Sequence, residues 1–183
     1  MTILGAVQGK EGIGEIPTLC YHPALKPYGV CRLCTVEVIQ RGRSRMVTAC
    51  TFPVEQGLVV KTNSERVLRL RRGIIELLLA RCPNVEVVRD LAERYRVKES
   101  RFRLTDERCI LCGLCIRVCE EIIGKSKIGF VNRGIDREIC GAAFTKELGE
   151  ECIGCKACFY ICPAKAIKVG HDGRIMLPIC EGQ

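Results

Sequence analysis

Apolar and polar positions divide the chain into three stretches. Over residues 1–62 the apolar residues come in short alternating runs. "CTVEVI" and "GLVVKT" carry β-branched residues in alternation, the pattern of half-buried strands, and Gly and Pro punctuate the rest. From residue 63 the period lengthens. "NSERVLRLRRGIIELLLAR" places Val67, Leu70, Ile74, Leu77 and Leu78 on one face of a helix. Asn63 or Ser64 can cap it, and Pro83 lies just past its end. "NVEVVRDLAERY" places Val85, Val88, Leu91, Ala92 and Tyr95 on one face of a second helix. The arginines of both helices read as solvated faces, with a docking surface for a partner as the sharper alternative. Residues 105–183 show an internal repeat instead of a period. The expected division is therefore 1–62, a helical connector at 63–104, and 105–183.

The repeat is one of cysteines. "CILCGLCIRVCEE" holds Cys109, Cys112, Cys115 and Cys119, and "CIGCKACFYICPA" holds Cys152, Cys155, Cys158 and Cys162. C-x2-C-x2-C-x3-C is the bacterial ferredoxin spacing. A [4Fe–4S] cube takes three thiolates from one tight loop, whose amides point at its sulfurs, and a fourth from elsewhere. In two-cluster ferredoxins the last cysteine of each run serves the other cluster. Cys109, Cys112, Cys115 and Cys162 are thus expected to hold one cube. Cys152, Cys155, Cys158 and Cys119 are expected to hold the second. Gly113 and Gly154 fall inside the loops, where backbone must pack close. Zinc is the alternative, but it usually takes two C-x-x-C pairs rather than two runs of four. Pro163 follows Cys162, whereas Glu120 and Glu121 follow Cys119. A carboxylate beside a cluster would lower its reduction potential.

Composition narrows the setting. The chain has 15 cysteines, an odd count with many in C-x-x-C steps too tight for a useful staple. No basic start leads to an apolar run at the N-terminus. This argues against a secreted disulfide scaffold and for a reduced compartment, the cytoplasm. The longest apolar run, "GIIELLLA", is short and carries Glu76, so no membrane span is expected. The formal charge of +8 would suggest nucleic acid. However, a four-thiolate cluster carries roughly −2, so three clusters would offset most of it. Aromatic residues are too few for a stacking surface, and no nucleic-acid partner is expected.

A third set, Cys20, Cys31, Cys34 and Cys50, lies near the N-terminus. "CRLC" carries the C-x2-C step of plant-type [2Fe–2S] centres, but the first gap is longer than in those proteins. By spacing alone, zinc stays open. The surrounding residues change that weight. "EIPTLCYHPALKPYGVCRLCTVEV" followed by "TACTFPVEQGLVVKT" resembles the [2Fe–2S] domain at the head of the large iron–sulfur subunit of complex I. It also resembles related domains of NAD-linked hydrogenases and formate dehydrogenases. "SERVLRLRRGIIELLLA", "CILCGLCIRVCEE...IGFVNRG" and "CIGCKACFYICPAKAI" resemble the helix and the two-cube domain of the same relatives, so the likeness runs from about residue 3 to residue 170. It implies an α+β chain: a β-grasp [2Fe–2S] domain, a short helical segment and a bacterial-type two-[4Fe–4S] domain. It also implies that Cys20, Cys31, Cys34 and Cys50 bind [2Fe–2S].

The chain departs from the family in three places. Many members carry a further cube after the apolar helix, held by one His and three Cys. Here "LLLARCPNVEVVRDLAERY" offers Cys82, and no histidine occurs between His22 and His171. The β-grasp domain begins at what should be the helix after its first hairpin, so that hairpin is expected to be missing and its edge left to water or a partner. The large catalytic domain that follows in some relatives is expected to be absent. Cys82, Cys140 and Cys180 are expected as buried free thiols, and His22 as a loop residue hydrogen-bonded near the cluster.

No G-x-G-x-x-G, P-loop or triad appears. The expected function is electron transfer without catalysis of its own. The resemblance implies a hetero-oligomer with a flavin- and NAD(P)H-binding subunit and a hydrogenase or formate dehydrogenase module. A free multi-cluster ferredoxin and an iron–sulfur redox sensor are the alternatives.

Overall fold

A computed structural model describes residues 1–8, 15–102 and 105–178, apart from the side chain of residue 143. The chain forms two compact units, Met1–Ala80 with Asp90–Leu104 and Arg81–Arg89 with Thr105–Gln183. Both mix helix with strand.

The first unit opens with a short helix, α1 (Ile3–Val7), whose Gly5 amide donates to the Thr2 hydroxyl. Its strands are β1 (Thr35–Gln40), β2 (Arg43–Thr48) and β3 (Val59–Lys61), all antiparallel in the order β2-β1-β3. Among the described residues β2 and β3 are the edges of this sheet. β1 is buried on both faces. Val36 and Val38 point into a core with Ile3, Leu4, Ile16, Ala49, Cys34 and Cys50. Thr35 and Glu37 point the other way and are also buried. The charge on Glu37 is answered by Arg66 at 2.9 Å and by the hydroxyl of Ser44. β2 is a strand despite its sequence, "RSRMVT", because it pairs along the whole of β1.

The long helix α2 (Glu65–Arg81) starts where the sequence places it, with Val67 N donating to Ser64 Oγ at 3.4 Å. Its buried face differs from the expected one. Val67, Ile75 and Ala80 are buried together with Arg71 and Glu76, Leu70, Ile74 and Leu78 are half-buried, and Leu77 is 55% exposed. Two polar anchors set this rotation. Arg71 donates to backbone carbonyls, and Glu76 accepts from the Arg101 guanidinium through both oxygens, at 2.8 and 2.9 Å. The expectation of solvated arginines therefore fails at Arg71. The second helix, α3 (Glu86–Arg94), agrees with its pattern: Val85, Val88, Leu91, Ala92 and Tyr95 are all buried.

The second unit has little regular structure. A four-residue helix, α4 (Leu114–Arg117), runs straight into a π-helical turn at Val118–Ile122. The hairpin β4 (Ile128–Val131) and β5 (Glu138–Gly141) follows, then helix α5 (Ala157–Tyr160) and the two-residue strands β6 (Lys168–Val169) and β7 (Ile175–Met176). Its core joins Ile128, Ile139, Leu148, Ile167, Ile175 and Leu177 to Cys109, Cys115, Cys152 and Cys158. No helix among the described residues is long and apolar enough to cross a membrane.

Candidate iron–sulfur centres

In the first unit the β1–β2 hairpin does the gathering. Cys34 immediately precedes β1, and Cys50 stands two residues beyond β2. The register Thr35↔Thr48 brings these ends together, and Ala49 N donates to Cys34 O at 3.1 Å. The Sγ atoms of Cys34 and Cys50 are 3.4 Å apart. Cys20 and Cys31 come from the preceding loops and share a hydrogen bond between their thiols. The Cys31 amide also donates to Cys20 Sγ at 3.4 Å. Three of the four are buried and Cys31 is half-buried. The set is therefore two pairs, 20 with 31 and 34 with 50.

The protons follow that pairing. The hydrogen bond from Cys20 holds the Cys31 thiol down at about 6. The bond shared with Cys50 holds Cys34 at about 7. The partners Cys20 and Cys50 are pushed up by the same bonds and then by burial. These four neighbouring sulfurs, three of them buried, cannot all ionise unless cations replace the shared protons. Two irons, each taking two of the four thiolates, match two pairs.

The second unit spreads its cysteines instead. Cys119, Cys152, Cys155 and Cys158 line one small cavity together with Ile123, Ile128 and Leu148. Cys119 comes from the π-helical turn, and the other three from the loop before α5 and its first turn. Burial raises the Cys158 thiol to about 11, and the charges of Cys152 and Cys119 add to it. Cys115 is raised by burial and then by the charges of Cys112, Cys109 and Cys162. The charge of Cys162 also reaches Cys109. Cys119 thus shares a cavity with the first three cysteines of the other run, while the charges of both Cys162 and Cys158 reach Cys115. Backbone amides point at these sulfurs: Leu111 N to Cys109 at 3.4 Å, Lys127 N to Cys119 at 3.3 Å and Ala166 N to Cys162 at 3.4 Å.

Among the described residues no three Cys, His, Asp or Glu side chains converge as they would on a single metal ion. A cube spreads four thiolates over four irons, so its ligands need not converge. The spread donors, their amides and the cavity fit a four-iron cluster.

Several side chains behave unlike their sequence reading. Gly113 sits at φ 74°, where glycine is favoured. Gly154 has no such need, since a Cβ there would meet nothing within 4 Å. In the second run the left-handed position falls on Lys156, at φ 52°. Glu121, expected to weigh on a cluster, is paired with the Arg117 guanidinium at 3.3 Å. His22 is a loop residue whose Nδ1 accepts from the Ala24 amide at 3.2 Å. Cys82 is a fully buried thiol, pushed up to about 12 by burial. Cys140 is disulfide-bonded rather than free, and Cys180 lies outside the described residues. Two arginines join the sites without a sequence expectation behind them. Arg71 donates to the carbonyls on either side of Cys34, and Arg81 donates to the Cys109 carbonyl at 3.1 Å. The one signal for them in the sequence is their place on a helix next to cysteine loops.

Comparison with known proteins bears on these centres. The family described as 2Fe-2S iron-sulfur cluster binding domain matches residues 1–65. A component of the NADH-quinone oxidoreductase of Rhizobium meliloti is 33% identical, over 91% of this chain and 22% of its own length. The NADP-reducing hydrogenase subunit HndD of Solidesulfovibrio fructosivorans is 33% identical, over 86% of this chain and 32% of its own. A chain of the NAD+-reducing [NiFe]-hydrogenase, solved in the H2-reduced state, superposes with a TM-score of 0.65 at 32% identity. That match covers 77% of this chain and 68% of the other. The chain spans about a fifth to a third of the curated relatives' length.

Proposed function

We propose that this chain, which belongs to the family of iron–sulfur subunits of NAD(P)H-linked oxidoreductases and hydrogenases, carries single electrons within such a complex. One neighbour would be a flavin- and NAD(P)H-binding subunit. The other would be a hydrogenase or formate dehydrogenase module. The observation that supports this reading is the meeting of Cys20 with Cys31 and of Cys34 with Cys50 in the first unit, together with a cavity lined by Cys119, Cys152, Cys155 and Cys158 in the second. Cys20, Cys31, Cys34 and Cys50 would hold [2Fe–2S] in a β-grasp domain. Cys109, Cys112, Cys115 and Cys162 would hold one [4Fe–4S] cluster, and Cys152, Cys155, Cys158 and Cys119 the other, in a bacterial ferredoxin-type domain.

Bound, the clusters supply one-electron chemistry, with plant-type centres near about −400 mV. The chain's own residues set burial and hydrogen bonding, and through them potential. Cys31 and Cys155 are less buried than most of the other ligands. They mark where an electron can enter or leave each unit. Thiolate ligands suit a reducing compartment such as the cytoplasm.

The test is reconstitution. Alone, the anaerobic chain should be reduced by dithionite and should not oxidise NAD(P)H. Mixed with the chains that co-purify with it, it should restore electron flow between them. Cys34→Ser should slow that flow while each partner's own half-reaction continues. NAD(P)H oxidation by the isolated chain, or flow unchanged in Cys34→Ser, would sink the proposal.

A further inference from the structure

Arg71 is 2% exposed. Among the described residues its guanidinium makes three hydrogen bonds, each to a neutral acceptor. Nε donates to Leu33 O at 3.2 Å, Nη2 to Thr35 O at 3.0 Å and Nη1 to the Tyr95 hydroxyl at 3.4 Å. Arginine does not lose its proton when buried, and a buried charge without an opposite charge is strongly disfavoured. The ion pairs along α2 lie elsewhere: Arg66 with Glu37, Arg69 with Glu65 and Glu76 with Arg101. Among the described residues no carboxylate pairs with Arg71.

Its two carbonyl acceptors belong to the residues on either side of Cys34, itself 1% exposed and 3.4 Å from Cys50. The cysteine that lies between those two acceptor residues is therefore the nearest candidate in sequence for the charge to act on. We propose that Arg71 is a positioning residue of the two-iron centre. It clamps the carbonyls of the two residues that flank Cys34, and it supplies the buried positive charge that offsets the cluster's negative charge. This rests on reading Cys20, Cys31, Cys34 and Cys50 as a [2Fe–2S] site.

The direction of the effect follows from charge. Reduction adds one negative charge to the cluster, so a fixed nearby cation stabilises the reduced state more than the oxidised one. Arg71 thus raises the potential. Arg72, its exposed neighbour, donates to Tyr95 O at 3.3 Å. It touches no cysteine loop, which makes it the control.

The test is an EPR-monitored redox titration of the full anaerobic chain, with iron counted per chain. The wild type comes first. Absence of any two-iron signal there would overturn the cluster reading itself, and this proposal with it, before a variant is made. With the signal present, Arg71→Met should move the two-iron midpoint negative, by about a tenfold change in the reduced-to-oxidised ratio, or 59 mV for one electron. Arg72→Met should leave it unmoved. Arg71→Lys, which keeps the charge but loses the fork, should stay near the wild-type midpoint with altered g-values. An unmoved midpoint in Arg71→Met would overturn the proposal and leave the cluster reading standing. If Arg71→Met does not retain the signal, Arg71→Lys decides. A retained signal near the wild-type midpoint supports the charge role, and loss of the signal or a negative shift there overturns it.

Discussion

In the N-terminal unit the thiols meet in pairs, with Cys34 and Cys50 at 3.4 Å and Cys20 hydrogen-bonded to Cys31. In the C-terminal unit Cys119, Cys152, Cys155 and Cys158 stand around a cavity. On the proposed reading, the difference follows from how many thiolates one iron takes: two in a two-iron centre, one in a cube. It also reports what holds each site. The first set hangs on the ends of a hydrogen-bonded hairpin, backed by a sheet and a 17-residue helix. The second is held by helices of four residues and strands of two to four, and four cysteines are part of its core. The first unit has a framework of sheet and helix, whereas the second builds its core partly from the candidate ligands themselves.

The sharpest way to break this comparison is to remove one spread ligand. Cys119→Ser should cost the cluster held by Cys152, Cys155 and Cys158, a loss of about four irons. Cys162→Ser should cost the one held by Cys109, Cys112 and Cys115. Iron counts paired with EPR on the two variants would show it, and loss of the cluster within each variant's own run would contradict the exchange of fourth ligands.

Chelation is the next test. Stripping iron anaerobically should abolish hydrogen-exchange protection over residues 109–177, while β1, β2 and α2 keep most of theirs. Equal loss in both units would mean that the sheet and helix do not hold the first site independently.

A smaller effect is expected from acid. Arg101 holds the Glu76 carboxyl at about 2, below its ordinary 4.5, first through the side-chain hydrogen bond and then through its amide. Ser44 and Ser64 hold Glu37 at about 2 in the same way, with Arg66 adding its charge. A folded pKa below the unfolded one adds stability above about 4.5, and that stability is lost as pH falls toward about 2. Glu76→Gln should therefore lower Tm at neutral pH, and the gap to wild type should close across that window. A gap independent of pH would show that the ion pair is not its source.

The smallest expected effect concerns Lys156, the residue in the left-handed conformation where the first run has Gly113. Lys156→Gly should stabilise the second unit by about 1 kcal/mol, measurable in denaturant. A loss of stability would mean that the lysine side chain contributes more than its backbone strain costs.

Much of this was legible in the sequence. Spacing alone named the two runs of four, and the structure places Cys119 in one cavity with Cys152, Cys155 and Cys158. The second helix's face was legible because it is purely apolar. α2 was not, since its inner face includes Arg71 and Glu76, whose partners at residues 33, 35, 95 and 101 are supplied by tertiary structure. β2 was not named either, because three of its six residues are exposed and two of these are arginines. The pairing within the first cysteine set is a property of the hairpin register, which spacing does not encode. Lys156 was not legible because nothing in a lysine marks a left-handed position, and the glycine of that loop stands two residues earlier.

The measurement that bears most directly on the account is Mössbauer spectroscopy of the anaerobic, 57Fe-enriched chain with iron and sulfide counted per chain. The expected result is about ten irons, two in a two-iron centre and eight in four-iron centres. About fourteen irons would reveal a further cube near Cys82. A spectrum without the two-iron component, or without the four-iron one, would contradict the assignment of paired and spread thiols to two kinds of cluster.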